Sequence, residues 1–109
     1  SLLKQRNLNL FAQVDHAAGA KSVGLKLRPT RLLIFGNPRS GTPLMQCGQS
    51  VAIDLPMKAL IWEDETGQTW VGYNSSNYLK TRHRLKGCDQ ALTKISQALN
   101  SLVKAATQP

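Results

Sequence analysis

The residues whose types and spacing could do chemistry are concentrated in Gly36-Asn37-Pro38-Arg39-Ser40-Gly41-Thr42, directly after the apolar run Leu32-Leu33-Ile34-Phe35. A strand entering a glycine loop that opens a helix is a common place to hold a phosphate or carboxylate, because helix N-terminal N–H groups and the dipole favour negative charge. A nucleotide-triphosphate loop would also need a lysine ahead of its Ser or Thr. Here Gly41 runs straight into Thr42, and Pro38 and Pro43 each lack a donor. A triphosphatase is therefore excluded, and a simpler anion site is the remaining chemical reading. The N–H groups after Pro43 and the Arg39 guanidinium would converge on one small anionic or polar ligand, with Asn37, Thr42 and Gln46 at its edge. A tight loop shaped by glycine and proline, with Arg39 in water, explains the same residues. Met45, one turn from Thr42, reads as core filling.

The adjacent pair Asp15-His16 suggests a general acid/base oriented by a carboxylate, and places both residues at the rim of the same site. Sequence neighbours on a strand point to opposite faces, however, and Asp15 is equally well explained as a helix cap with His16 as a junction residue. His83 sits in the basic stretch Lys80-Thr81-Arg82-His83-Arg84-Leu85-Lys86. The two cysteines, Cys47 and Cys88, lie far apart with no CxxC or HxxxH companion, so both are expected to be plain thiols. A metal set drawn from His16, Met45, Cys47, His83 and Cys88 has no supporting spacing. No metal and no cofactor are expected.

The formal net charge of +8 draws the chain toward polyanions. Its basic residues are nonetheless spread out, and those of Lys80–Lys86 fan around a helix without interleaved aromatics for base stacking. A nucleic-acid module is not expected. No apolar run approaches the roughly 20 residues that a membrane-spanning helix needs. These features lead to a cytoplasmic protein with no membrane partner. At 109 residues and 41% hydrophobic content the chain is expected to be a single domain, residues 1–109, with one core.

The elements that must position these residues follow from periodicity and punctuation. Ser1 to Asn7 reads as a helix tail. Leu8 to Asp15 alternates as a half-buried strand, with Phe11 breaking the pattern. Asp15 caps a short helix over His16–Val23 that Gly24 stops. Arg31–Phe35 is the central strand. Thr42-Pro43 marks a helix start, running to about Ser50. Strands Lys58–Glu63 and Thr69–Tyr73 flank the polar turn Asp64-Glu65-Thr66-Gly67. Asn74-Ser75-Ser76 caps a helix over Asn77–Leu85. In the last helix, Asp89–Ala106, Leu92, Ile95, Leu99, Leu102, Val103 and Ala106 form a buried stripe. This order predicts an α+β two-layer sandwich, a mixed or antiparallel sheet with helices on one face. The strands leave little polar surface for the other sheet face, and a homodimer through the sheet or a terminal helix is expected.

Several of these residues also carry a family likeness. Asp15-His16-Ala17-Ala18-Gly19-Ala20, Leu27-Arg28-Pro29-Thr30, Leu33-Ile34-Phe35-Gly36-Asn37-Pro38, Gly41-Thr42-Pro43-Leu44-Met45-Gln46, Asp54-Leu55-Pro56 and Trp62-Glu63-Asp64 occur in that order. Together, across Asn9 to His83, they resemble the bacterial domain of unknown function family 302. The resemblance implies a small, often dimeric α/β domain without an established activity. It also implies a further strand and helix ahead of the first matched strand, of which this chain would hold only the tail. The combined expectation is a non-enzymatic binder of a small anionic or polar ligand at Asp15, His16, Asn37, Arg39, Thr42 and Gln46. The alternatives are an enzyme using His16 as acid/base, or a basic module for a partner or nucleic acid.

Overall fold

The computed structural model describes residues 8–107, so the helix tail expected at 1–7 lies outside the described residues. Four strands, β1 (Asn9–Asp15), β2 (Thr30–Gly36), β3 (Met57–Glu63) and β4 (Thr69–Tyr73), form one sheet in the order β1-β2-β3-β4. Every pairing is antiparallel. Helix α1 (His16–Ser22) joins β1 to β2, while α2 (Pro38–Cys47) and a 3-10 helix (Gln49–Asp54) join β2 to β3. A hairpin joins β3 to β4, and α3 (Ser76–His83) and α4 (Asp89–Thr107) follow. The α+β sandwich expected from the pattern is the fold observed, with a wholly antiparallel sheet.

Local chemistry explains each junction. The Asp15 carboxylate accepts the Ala18 N–H at 2.9 Å and so caps α1, and Gly24, at φ +79°, takes the left-handed position just past it. The hairpin turns on Asp64, whose carboxylate accepts from the Trp70 indole at 2.8 Å, the Thr66 hydroxyl at 2.7 Å and the Gln68 N–H at 3.0 Å. Those donors, led by the indole, hold the Asp64 carboxyl well below the usual carboxylate range. Gly67, at φ +85°, completes the turn. Phe11 breaks the alternation of β1 because the register shifts between Leu10 and Ala12, leaving it as the extra residue of a bulge.

Two expected boundaries are corrected. Helix α2 begins at Pro38, not at Thr42: Asn37 is its N-cap, and Pro43 lies inside the helix. Asn37-Pro38 is as good a start signal as Thr42-Pro43, and it stands nearer the strand. Helix α3 ends at His83, not at Leu85, and Arg84 adopts the left-handed cap at φ 52°.

Alternate strand residues face the helices. Phe35, Met57 and Ala59 join Leu44 of α2, Val51 of the 3-10 helix, Leu79 of α3 and the α4 stripe Leu92, Ile95, Leu99 and Leu102 in one buried cluster. On the opposite face, Leu32 pairs with Leu60 and Trp62 with Trp70. The two indoles stack with centroids 6.3 Å apart. None of these four joins the buried cluster, and Trp70 is exposed.

The expectation of two plain thiols is overturned. Cys47, at the end of α2, and Cys88, just before α4, form a disulfide, with Cα atoms 6.2 Å apart. Sequence spacing gave no warning, because the packing of α2 against α4 is what brings the two helix ends together.

Candidate functional site

The loop between β2 and α2 walls a cavity of about 290 Å³. Phe35 and Met57 come from adjacent strands, Met45 from α2, Leu55 from the turn after the 3-10 helix, Leu99 from α4 and Phe11 from the bulge of β1. The bulge has a consequence here, since the extra residue turns the Phe11 ring toward Gly36, where a ring carbon stands 3.7 Å from the place a Cβ would occupy. Asn37, Ser40 and Thr42 are the polar residues in the lining. The surface presented to a ligand is dominated by hydrocarbon and thioether, the usual makeup of a small-molecule pocket.

This geometry changes the chemistry expected of the loop. The Asn37 side chain accepts the Arg39 N–H at 2.9 Å, and the Asn37 carbonyl accepts the Ser40 and Gly41 N–H groups at 2.9 and 3.0 Å. The first donors of α2 are therefore already satisfied by Asn37, and Pro38 contributes none. The N–H groups after Pro43, expected to meet an anion, lie inside the helix instead of at its start. Arg39 lines a second cavity of about 280 Å³ on the other side of α2, together with Ser40, Cys47, Cys88 and Lys94.

Of the six expected site residues, the structure brings Asn37 and Thr42 together at the apolar cavity and sends Arg39 to its neighbour. Gln46 is exposed on α2 and lines neither. Asp15 and His16 lie at the opposite end of the sheet. Asn9 is the β1 residue that pairs with Gly36, whereas Asp15 pairs with Arg31. Five residues of strand, roughly 17 Å, separate Arg31 from Gly36. At that far end Asp15 caps α1 and meets Arg31 at 3.3 Å. Its carboxyl is held low first by the Ala18 N–H and further by Arg31. It does the work of a cap and an ion pair, with His16 as the first residue of the helix.

One polar constellation escaped the sequence reading. His83 Nε2 lies 2.6 Å from Asp54 Oδ2, and His83 Nδ1 lies 2.9 Å from Ser50 Oγ. The Arg82 guanidinium contacts both Asp54 oxygens, at 2.9 and 3.2 Å. The His83 and Asp54 side chains are nearly buried. The Ser–His–carboxylate order resembles that of a nucleophile relay. Here the carboxylate is shared with Arg82, and none of the three residues lines either cavity flanking α2. The chain of bonds fastens the 3-10 helix to α3. No sequence signal marks it, since Ser50 and Asp54 stand about thirty residues from His83. It also engages part of the basic stretch, since Arg82 and His83 face Asp54, while Lys80 separately binds Asp89 at 2.9 Å. Among the described residues no three His, Cys, Asp or Glu side chains group as metal ligands.

Comparison with known proteins places this architecture. A crystal structure of an uncharacterized conserved DUF302 protein from Bacillus stearothermophilus superposes with a TM-score of 0.84. The match covers 94% of this chain and 80% of the other at 19% identity, which establishes the shared fold alone. Over 82 residues, 75% of its length, the chain is 50% identical to proteins named fluoride-specific ion channel FluC 1 in Brucella suis and in Brucella abortus. That stretch makes up 32% and 30% of those proteins, so the chain spans about a third of the length of the curated relatives it matches. No helix among the described residues is long and apolar enough to cross a membrane. The family model described as "Domain of unknown function DUF302" matches residues 1–102, and the chain belongs to that family.

Proposed function

We propose that this domain is a non-enzymatic binder of a small ligand, held in the cavity beneath the Gly36–Thr42 junction. One observation carries the reading: about 290 Å³ of space bounded by Phe11, Phe35, Met45, Leu55, Met57 and Leu99, with Asn37, Ser40 and Thr42 as its polar residues. The ligand this lining favours has an apolar body and one hydrogen-bonding end. A compact anion such as phosphate would lose its hydration to a mostly hydrocarbon lining with only three polar residues to replace it. The chain's only two methionines, Met45 and Met57, both line the cavity and give a direct test. With methyl-13C methionine, a panel of medium-chain carboxylates, alcohols and aromatic acids should include members that shift both methyl resonances. Replacing Ala98, another lining residue, by Phe should abolish those shifts. A panel that moves neither resonance would remove the proposal.

The partner we infer is a second copy of this chain, packed on the outer sheet face. Leu32, Leu60, Trp62 and Trp70 there form an apolar surface, and like charges elsewhere on a chain of net charge +8 disfavour less specific association. Sedimentation at tens of micromolar should show a dimer that Trp70→Lys converts to monomer. A wild-type monomer at that concentration would refute it.

A further inference from the structure

We propose that the Cys47–Cys88 bond is a redox-active disulfide that exchanges with small anionic thiols, Cys47 being the sulfur attacked and Cys88 the leaving thiolate. The proposal is independent of the ligand reading of the apolar cavity. It begins with an asymmetry. Cys47 is exposed at the end of α2, whereas Cys88 is only 5% exposed and belongs to the core cluster. Both line the 280 Å³ cavity, so the bond borders space that a small molecule can enter. A structural staple needs no such cavity, whereas exchange requires that a thiolate approach one sulfur.

The surroundings fit the two roles. Cys88 is the residue before α4, and its carbonyl accepts the Leu92 N–H at 3.0 Å, so its side chain sits at the N-terminus of a nineteen-residue helix. Negative charge is favoured at such a position, and a thiolate that leaves easily speeds the breaking of the bond. Arg39 and Lys94 line the same cavity and supply the attraction for an anionic thiol. The nearest carboxylate in sequence, Asp89, is engaged by Lys80 at 2.9 Å.

The chemistry balances with thiols as the reductant. A thiolate RS⁻ attacks the Cys47 sulfur, an R–S–S–Cys47 bond forms, the protein S–S bond breaks, and its electron pair stays on Cys88 as a thiolate. A second thiolate attacks the R-bearing sulfur, releasing RSSR and the Cys47 thiolate, and both protein thiolates take protons from solvent. Two thiols are oxidised to one disulfide while one protein disulfide is reduced to two thiols. A cytoplasmic setting, where disulfides are usually transient, would be consistent with a bond that turns over in this way.

Glutathione is the probe. The folded protein would be equilibrated in glutathione redox buffers, quenched by alkylation and analysed by mass spectrometry, with circular dichroism confirming that the fold persists. The bond should open in the native state. The Cys88→Ser variant should accumulate a glutathione adduct on Cys47, and Cys47→Ser should leave Cys88 unmodified. Should either single variant fail to fold, peptide mapping of the mixed disulfide trapped in the unmutated chain identifies the attacked sulfur instead. Exchange with glutathione should slow about tenfold in Arg39→Glu/Lys94→Glu, with little change toward uncharged 2-mercaptoethanol. A bond that opens only in unfolding denaturant, glutathione found on Cys88, or equal slowing for both thiols would overturn the proposal.

Discussion

Helix α2 has two cavities on its flanks, similar in volume at about 290 and 280 Å³ and opposite in chemistry. Gly41, Thr42 and Met45 border the first, toward the sheet; Arg39, Pro43 and Cys47 border the second, toward the start of α4. Residues four apart on a helix share a side, so one ten-residue segment serves an apolar pocket and a charged one without conflict. Ser40 reaches both. What differs is the opposite wall. The apolar cavity is closed by strand and α4 residues that belong to the core, whereas the basic one is closed by the first turns of α4 and the disulfide. The first should accordingly behave as part of the stability of the fold, and the second as a surface feature whose chemistry can change while the fold persists.

Three substitutions bear on that contrast, in descending order of effect. Leu99 is 2% exposed and walls the apolar cavity, so Leu99→Ala should cost about 2–5 kcal/mol in urea unfolding. A loss below about 1 kcal/mol would mean that this cavity is not bounded by packed core. Gly41→Ala works in the other direction. A Cβ there meets only Leu55 and Met45 side-chain carbons at 3.9 and 4.0 Å, so it fits without a clash. The helix should gain about 0.5–1 kcal/mol, while the added methyl group should weaken ligand-induced shifts of Met45. Destabilisation would show that the helix tolerates no side chain at this point. Arg39→Glu should move stability by less than about 0.5 kcal/mol and leave both methionine resonances in place. A large change in either would mean that the two cavities are coupled through α2.

The open and covered faces of the sheet show how far the sequence could be read. Strand β4 follows from aromatic residues of high strand propensity beside a polar turn, and the α4 stripe from helical spacing, because both are written into the order of residues. The Phe11 irregularity was visible as a broken pattern, and only the pairing with β2 showed it to be a bulge that turns an aromatic ring toward the cavity. The start of α2 was misplaced because Asn37-Pro38 and Thr42-Pro43 are both good local signals. The choice between them is made by how soon the chain must turn back over the sheet.

Composition and punctuation by themselves determined the α+β class, the strands and the helical core stripe, and the ordered motifs carried the family likeness. These are local properties: residue type, period and turn chemistry act within a few neighbours. The tertiary structure decided the rest. It put an apolar cavity beside the loop where an anion site was expected, began the helix at Pro38 so that the N–H groups after Pro43 lie within it, and set Asp15 and His16 at the far end of β1. It joined Cys47 to Cys88 and knotted Ser50, Asp54, Arg82 and His83. Each of these depends on which distant segments are packed side by side, and sequence spacing carries no record of that.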